Sequence, residues 1–507
     1  MTLRSHLARE PRELKFGTSG RRGRLVDLTQ LEIYINVLGE MEHLLSQEGE
    51  AGGIVLGDEF YIARDLRPSS PTLEAAVDEA VRDAGLRPVH LGEVPTPAVA
   101  NYAWPRRKGS IMVTGSHIPF DWNGYKLNTS CGELLKTHEA PIQERVGAVR
   151  ERIYGQPFES SKFDAEGSLR QARTLPDADG AALRDYLQRY VDFFAERPLA
   201  GLRVLCYQHS AVGRDVLASL LRDLDADVLP AGRSDTFVPI DTENIDAEAL
   251  AAIAALVPAE PIDAIVSTDG DSDRPLILGV DPRTKAPRFF PGDLVGMVVA
   301  EFLGADAIVV PVSCNDAIDR SPLAAALEPK TRIGSPYVLA GMQAAAAKGR
   351  SAVCGWEANG GFLLGSDVVR GGRTLRALPT RDAILPILAV LAAARERGMS
   401  LVELFGRLPA RFTSSTLIRE FPREAGARLI AELKPEELEP LFGPVAKVDQ
   451  TDGPRVYFAS GDVIHMRPSG NADEFRIYAC ADTAERAREI TTMGAAFVRA
   501  RPRPGLQ

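Results

Sequence analysis

Gly109-Ser-Ile-Met-Val-Thr-Gly-Ser-His117 is the stretch on which the fold turns. Ile111, Met112 and Val113 form a short apolar run that predicts a buried strand. The run stops at Thr114-Gly-Ser-His117, so a serine hydroxyl stands at the carboxyl edge of a sheet. Open α/β sheets place ligands at that edge. Pro119, Asn123 and Gly124 predict a turn, and Lys126 follows. A hydroxyl, an imidazole and an ammonium thus lie close to one strand end.

Working outward, the same alternation repeats. Residues 53–58 and 87–91 predict strands, and Leu73, Val77, Ala80, Val81 and Ala84 recur at helical spacing before Gly85. Pro95-Thr-Pro97 reads as a turn, and the chain before Arg12 as a loose arm. Residues 156–180 are polar and read as a linker. A second unit opens with the strand 202–207 and closes with the strand 262–266. A third opens with a helix at 293–303 and a strand at 307–311, and continues through the strand 352–354 and a helix at 384–395. From about residue 411 the pattern changes to short strands with one helix. Strand–helix–strand alternation predicts mostly parallel sheets. The likeness of 54–56, 202–205 and 307–310 suggests a divergent triplication.

A chain of 507 residues makes three or four domains, at roughly 150 residues each. Its net charge of -10 argues against nucleic acid as the main partner, because phosphate backbones need a basic face. The five cysteines, Cys131, Cys206, Cys314, Cys354 and Cys480, form no CxxC and read as reduced residues. The first residues hold no apolar signal segment, and the apolar run 383–394 is too short to span a bilayer. These features predict a cytoplasmic protein with no membrane partner.

Asp269, Asp271 and Asp273 are the strongest local signal. Three alternating carboxylates repel one another unless a hard cation joins them, and all-oxygen ligands suit Mg²⁺. An EF-hand needs Gly and Glu where Arg274 and Val280 stand, so that reading fails. A haloacid-type phosphatase, with Asp269 as nucleophile, stays open. Lys15-Phe-Gly-Thr-Ser-Gly-Arg-Arg-Gly23 offers backbone N–H groups and Arg22 to an anion. Glu357 and Asn359, before Gly360-Gly361, can share the vicinal hydroxyls of one sugar. Arg467-Pro-Ser-Gly-Asn471 puts a guanidinium, a hydroxyl and an amide around a glycine bend, a possible anion nest flanked by His465 and Arg476.

In this order the motifs resemble the α-D-phosphohexomutase superfamily, which includes phosphomannomutases and phosphoglucomutases. They are Lys-Phe-Gly-Thr-Ser-Gly-x-Arg-Gly, Thr-Gly-Ser-His-x-Pro-x-x-x-Asn-Gly-x-Lys, Asp-Gly-Asp-x-Asp-Arg, Glu-x-Asn-Gly and Arg-Pro-Ser-Gly-Asn. Asp65-Leu-Arg-Pro-Ser-Ser70 and Val94-Pro-Thr-Pro97 match further family patterns, and the resemblance spans residues 15–500. It implies an α/β fold of four domains around a central cleft. Three similar mixed α/β sheet domains (1–165, 180–288, 289–405) would precede a C-terminal α+β domain (411–500).

The resemblance also implies an intramolecular phosphotransferase, most readily a phosphomannomutase. It would interconvert hexose 6-phosphate and hexose 1-phosphate through a phosphoserine and a hexose 1,6-bisphosphate. Ser116 would carry the phosphoryl group, and Asp269, Asp271 and Asp273 would hold Mg²⁺ with it. Arg22, His117 and Lys126 would surround the transferred group, with Lys126 or His117 assisting proton transfer. Arg274 would lie beside the metal loop, and Glu357 and Asn359 would hold sugar hydroxyls. Arg467, Ser469, Gly470 and Asn471 would grip the idle phosphate. Hexose monophosphates would be the partners, a hexose 1,6-bisphosphate the activator, and a monomer or homodimer the working form. The alternatives are a phosphoglucomutase or dual-specificity mutase, a sugar-phosphate phosphatase and a non-catalytic sugar-phosphate sensor.

Four loops depart from the common pattern. Gly115 stands where many members have Ala, Asn359-Gly-Gly361 where many have Ser-Gly-His, and Asn471-Ala-Asp-Glu474 where many have Thr-Glu-Pro-Lys. The segment Ile333-Gly-Ser-Pro-Tyr337 lacks a histidine often found there. The serine and sugar loops lean towards a bacterial phosphomannomutase branch.

Overall fold

The computed structural model describes residues 1–17, 20–171, 173–194, 196–243, 245–469 and 473–501. Four main sheets follow one another along the chain. The first holds β1 (Arg21–Arg24), β2 (Glu59–Arg64), β3 (Arg87–Glu93), β4 (Ser110–Val113) and β5 (Trp122–Asn128), in the order β1-β5-β4-β2-β3. The second holds β6 (Arg203–His209), β7 (Asp227–Arg233), β8 (Ala264–Thr268), β9 (Pro275–Val280) and β10 (Pro287–Phe289), in the order β10-β9-β8-β6-β7. The third contains β11 (Ala307–Val309), β12 (Val353–Trp356) and β13 (Phe362–Leu364). A side hairpin of β14 (Val368–Arg370) and β15 (Arg373–Leu375) precedes its outer strand, β16 (Leu378–Asp382). The fourth sheet is antiparallel and comprises β17 (Phe412–Arg419), β18 (Val445–Asp449), β19 (Arg455–Phe458), β20 (Val463–Pro468) and β21 (Glu474–Ala481).

The first three sheets share one design. β2 and β4, β6 and β8, and β11 and β12 run parallel. The chain then turns back antiparallel into β5, β9 and β13. Strand pairing thus supports the repeat, but in the first unit the repeated strand is β2 and not 54–56. The predicted strand at 53–58 does not form. Val55 and Leu56 are 66% and 69% exposed, and Gly57 adopts φ +82° in a turn whose N–H donates to Gly85 O. The run Phe60-Tyr-Ile-Ala63 is buried throughout and wins the sheet position.

Helices cover the sheets. The helix Ser70–Asp83 buries Leu73, Ala76, Val77, Ala80 and Val81, and the chain leaves it through Gly85 at φ +79°. Pro95-Thr-Pro97, expected as a turn, opens the helix Thr96–Ala103, because the fixed φ of proline suits a first helical turn. One apolar core links the first three units, from Met112 through Val266 to Trp356 and Ile384. The expected loose arm and linker pair with each other instead. Leu3 is fully buried, its N–H donates to Gln156 O, and Ala8 N–H donates to Ala165 O. Arg411 joins the last unit to the third, donating to both oxygens of Asp316 at 2.7 and 2.9 Å. Among the described residues no helix is long and apolar enough to cross a membrane.

His90 gives the first unit a pH dependence. It donates to Glu74 at 2.8 Å and Asp78 at 2.9 Å, both on the helix Ser70–Asp83. Burial opposes its charge, but the two carboxylates overcome it and push its pKa up to about 9. The folded value lies above the unfolded one, so the stabilisation is complete below about pH 6.5 and is lost as pH rises through about 9. Its size is on the order of 3 kcal/mol. Calorimetry of wild type and His90→Gln should show unfolding temperatures that converge as pH climbs from 6.5 past 9; parallel profiles would contradict the assignment.

Candidate active site

Three equivalent turns converge on one cleft. They are the connections β4–β5, β8–β9 and β12–β13, and they carry Ser116, the three aspartates, and Glu357 with Asn359. The first two touch closely. A Cβ on Gly270 would lie 2.6 Å from Ser116 O, which only glycine avoids.

The serine turn is held from below. Asp65, at the end of β2, accepts from Thr114 Oγ1 at 2.7 Å, and Thr114 Oγ1 accepts from Ser116 N–H at 2.7 Å. The buried Arg67 guanidinium donates to four carbonyls of the turn, those of Ser116, Ile118, Pro119 and Trp122, at 2.6–3.0 Å. It also lies 3.7 Å from the Phe237 ring centroid. This grip keeps Ser116 in the left-handed region at φ +53°, a conformation costing of order 1 kcal/mol or more.

Ser116 Oγ donates to Asp269 Oδ2 at 2.8 Å. Lys126, on β5, donates to Asp271 at 2.6 Å and Asp273 at 2.5 Å. Thr96 Oγ1 donates to Asp271 at 2.6 Å, which ties the first unit to the acidic turn. Burial, then the charges of Asp271 and Asp273, raise the Asp269 pKa to about 8. Burial opposes ionisation of Asp273 too, but Arg381, Lys126 and Arg274 overcome it and hold that carboxylate well below its ordinary range. One oxygen of Asp271 and one of Asp273 are buried without a hydrogen-bond partner. A ligand atom from each of the three aspartates lies within 4.8 Å of the others. Orphaned carboxylate oxygens at that spacing fit a hard divalent cation.

Cations crowd the same point. Arg274 Nη1 donates to His117 Nδ1 at 3.1 Å. Burial, then Arg274 and Arg22, push the His117 pKa down to about 2, so the imidazole is neutral. Burial and the neighbouring Arg274 lower the Arg22 pKa to about 10. Arg22, Lys126, Arg274 and Arg381 thus stand around the three carboxylates, side chains suited to an anion brought among them.

The turn between β12 and β13 lies alongside. Glu357 and Asn359 are buried. Asn359 Oδ1 accepts from Gly361 N–H at 2.9 Å, and its backbone carbonyl accepts from Thr242 Oγ1. Arg381 links this turn to the acidic one, donating to Asp273 at 3.0 Å and reaching Glu357 at 3.5 Å. Farther out, Arg467 pairs with Asp452 at 3.0 Å and Ser469 N–H donates to Glu474 O. Both line an open groove with Arg332, Tyr337 and Arg423. Gly470 and Asn471 lie outside the described residues. His465 is buried, and its Nε2 lies 2.7 Å from Asp452 O.

Ser116, His117, Lys126, Arg22, Arg274 and the three aspartates therefore form one cluster, with Glu357 and Asn359 joined to it through Arg381. Arg467 and Ser469 stand apart on the fourth unit. Sequence reading assigned no role to Arg67, Thr96 or Arg381. Arg67 sits in the Asp65–Ser70 pattern, which was a usable signal, whereas Arg381 lies in no recognisable motif.

Family models match three segments. The phosphoglucomutase/phosphomannomutase alpha/beta/alpha domains I, II and III cover residues 13–152, 184–281 and 291–412. A phosphomannomutase of Sinorhizobium fredii (strain NBRC 101917 / NGR234) is 38% identical over 493 residues, covering 96% of this chain and 98% of its own length. A phosphomannomutase of Salmonella muenchen is 36% identical over 486 residues, covering 94% of each. Among solved structures, a phosphoglucomutase/phosphomannomutase family protein from Burkholderia thailandensis shares the fold at TM-score 0.69 and 19% identity, covering 97% of this chain and 98% of its own. The Aspergillus fumigatus N-acetylphosphoglucosamine mutase in complex with GlcNAc-6P and magnesium does so at TM-score 0.56 and 14% identity, covering 98% and 99%. The chain belongs to the α-D-phosphohexomutase superfamily, within its phosphoglucomutase/phosphomannomutase family, and is an isomerase of the phosphohexomutase type.

Proposed function

We propose that this phosphohexomutase is a phosphomannomutase, interconverting mannose 6-phosphate and mannose 1-phosphate through a phosphoserine at Ser116 and a hexose 1,6-bisphosphate. The carrying observation is the Ser116 hydroxyl, 2.8 Å from Asp269 inside a cluster rich in cations. The preference for mannose is supported by the two phosphomannomutase relatives at 38% and 36% identity.

Asp269, Asp271 and Asp273 would hold Mg²⁺, which the orphaned oxygens fit. When bound, it supplies Lewis-acid stabilisation of the phosphoryl oxygens. The chain's own residues do the rest, because phosphoryl transfer is mostly positioning and charge stabilisation. Arg22 and Arg274 stabilise charge on the transferring group. Glu357 and Asn359 hold sugar hydroxyls and orient the acceptor. The bond from phosphorus to Ser116 Oγ breaks as the bond to the sugar oxygen forms. The Lys126 ammonium gives a proton to the departing serine oxygen and takes the sugar hydroxyl's proton in its place. Lys126 is favoured over His117 for this step because His117 Nδ1 already accepts from Arg274. The bisphosphate then turns over in the cleft and returns its other phosphate to Ser116. Throughout, Arg467 and Ser469, with Gly470 and Asn471, would grip the idle phosphate.

The test is ³¹P NMR with Mg²⁺ and a trace of hexose 1,6-bisphosphate, using mannose 1-phosphate and glucose 1-phosphate in separate tubes. Conversion to the 6-phosphate, faster with mannose, is expected. Excess chelator should stop it, and added Mg²⁺ should restore it. Faster turnover of glucose 1-phosphate would make the enzyme a phosphoglucomutase, and release of inorganic phosphate a phosphatase. Full activity in chelator would remove the metal assignment.

A further inference from the structure

We infer that Arg381 is a positioning residue that fixes the sugar turn to the acidic turn, and so sets where the acceptor hydroxyl meets the phosphoryl group. Arg381 lies on β16 and is 3% exposed. Its Nε donates to Asp273 Oδ2 at 3.0 Å. Its Nη1 reaches Ser335 Oγ at 3.3 Å and Glu357 Oε2 at 3.5 Å.

The backbone on both sides of Arg381 is pinned. Thr380 Oγ1 donates to Glu133 at 2.6 Å. Asp382 accepts from the hydroxyls of Tyr186 and Tyr190 and from Ile384 N–H. The arginine stem then lies flat against Gly361. A Cβ there would stand 2.5 Å from Arg381 Cδ and 2.7 Å from Cγ, so the missing side chain makes the route for the stem.

Neutralising Asp273 is not reason enough for this arrangement. Lys126 already bonds that carboxylate at 2.5 Å, and Arg274 lies 3.6 Å from it. Glu357 is the dependent partner. Among the described residues, Arg381 is the one side chain its carboxylate pairs with. Loss of Arg381 should leave Asp273 held and set Glu357 loose.

The inference rests on the mutase reading only for what the sugar turn holds, and its test includes binding as well as turnover. Isothermal titration calorimetry on wild type, Arg381→Ala and Arg381→Met would measure mannose 1-phosphate and Mg²⁺ separately. Arg381→Met keeps the stem and removes the fork, which serves if the alanine variant folds poorly. Sugar phosphate affinity and kcat should each fall about tenfold, the lower end for a lost hydrogen bond to a charged group, while Mg²⁺ affinity should not fall, because the cation removed is one bonded to Asp273. Gly361→Ala should cost about tenfold alone and clearly less in the Arg381→Ala background, where only Asn359 Oδ1, 3.1 Å from the added Cβ, is still crowded, because neighbouring residues acting as one unit are not additive.

Sugar affinity unchanged in both Arg381 variants would overturn the inference. So would Mg²⁺ affinity falling in step with it, or independent, multiplying effects of Gly361→Ala and Arg381→Ala. If wild type proves not to be a mutase, the binding pattern still decides the role of Arg381. If it is a mutase and the pattern fails, the inference alone falls.

Discussion

Ser116→Ala is expected to lose turnover by on the order of 10⁴-fold or more, the scale seen when a covalent nucleophile is removed. Mannose 1-phosphate should still bind within about threefold, since no other cleft residue changes. The separation is sharp because the turn does not depend on the serine hydroxyl for its shape. Arg67 holds the carbonyl of residue 116, and Thr114 Oγ1 accepts its N–H. Both contacts are to backbone and survive the substitution. The φ of +53° is as tolerable for alanine as for serine. Only the oxygen facing Asp269 disappears. Turnover followed by ³¹P NMR, with calorimetry for binding, gives both numbers on one sample. Activity within tenfold of wild type would end the phosphoserine mechanism, and joint loss of binding and turnover would mean that the turn had collapsed.

The local chemistry of this site was legible in the sequence, and its long-range geometry was not. Asp269, Asp271 and Asp273 announce themselves because three carboxylates in five residues repel one another unless positive charge joins them. Ser116 is legible because an apolar run delivers it to a sheet edge. Arg381 gives no such signal. Its partners lie 108 and 24 residues away in the chain, and nothing in Leu378-Pro-Thr-Arg-Asp382 says which will meet it.

The two glycine departures find their reasons only in three dimensions. A Cβ at residue 115 would lie 2.7 Å from the Arg67 guanidinium, and one at 361 would collide with the Arg381 stem. The misplaced strand at 53–58 shows a further limit. Ile54-Val-Leu56 is apolar enough to be a strand, yet the glycine turn at Gly57 and the more completely buried Phe60–Ala63 run take that position. Local pattern names a candidate, and competition for the sheet decides it.

Arg67→Ala should be the most damaging change outside the reacting cluster itself. The guanidinium is buried, and its fork satisfies four carbonyls at once. Nη1 serves Pro119 and Trp122, and Nη2 serves Ser116 and Ile118. Alanine leaves those carbonyls without that donor. Truncating one partner of such a buried charged set costs about 3–5 kcal/mol. In a chain of several units that cost falls locally, on the turn between β4 and β5. Asp65 remains satisfied by Ser70 Oγ, Thr114 Oγ1 and Gly115 N–H, so the base of the turn persists while its far side opens.

Hydrogen exchange of residues 114–122 in Arg67→Ala should therefore speed up by about 10²-fold or more, the amount a few kcal/mol of local opening allows. The distant helix Ile384–Arg397 should exchange as before. Turnover should fall by about 10²-fold, because a displacement near 1 Å at the attacking atom is costly. Arg67→Lys keeps the charge but has no planar fork to reach both pairs of carbonyls, so it should recover little. If Arg67→Lys turns over as wild type does, charge beside Asp65 holds the turn and the four-carbonyl grip is incidental. If both variants fail with the turn's exchange unchanged, Arg67 acts on the substrate and not on the backbone of the serine.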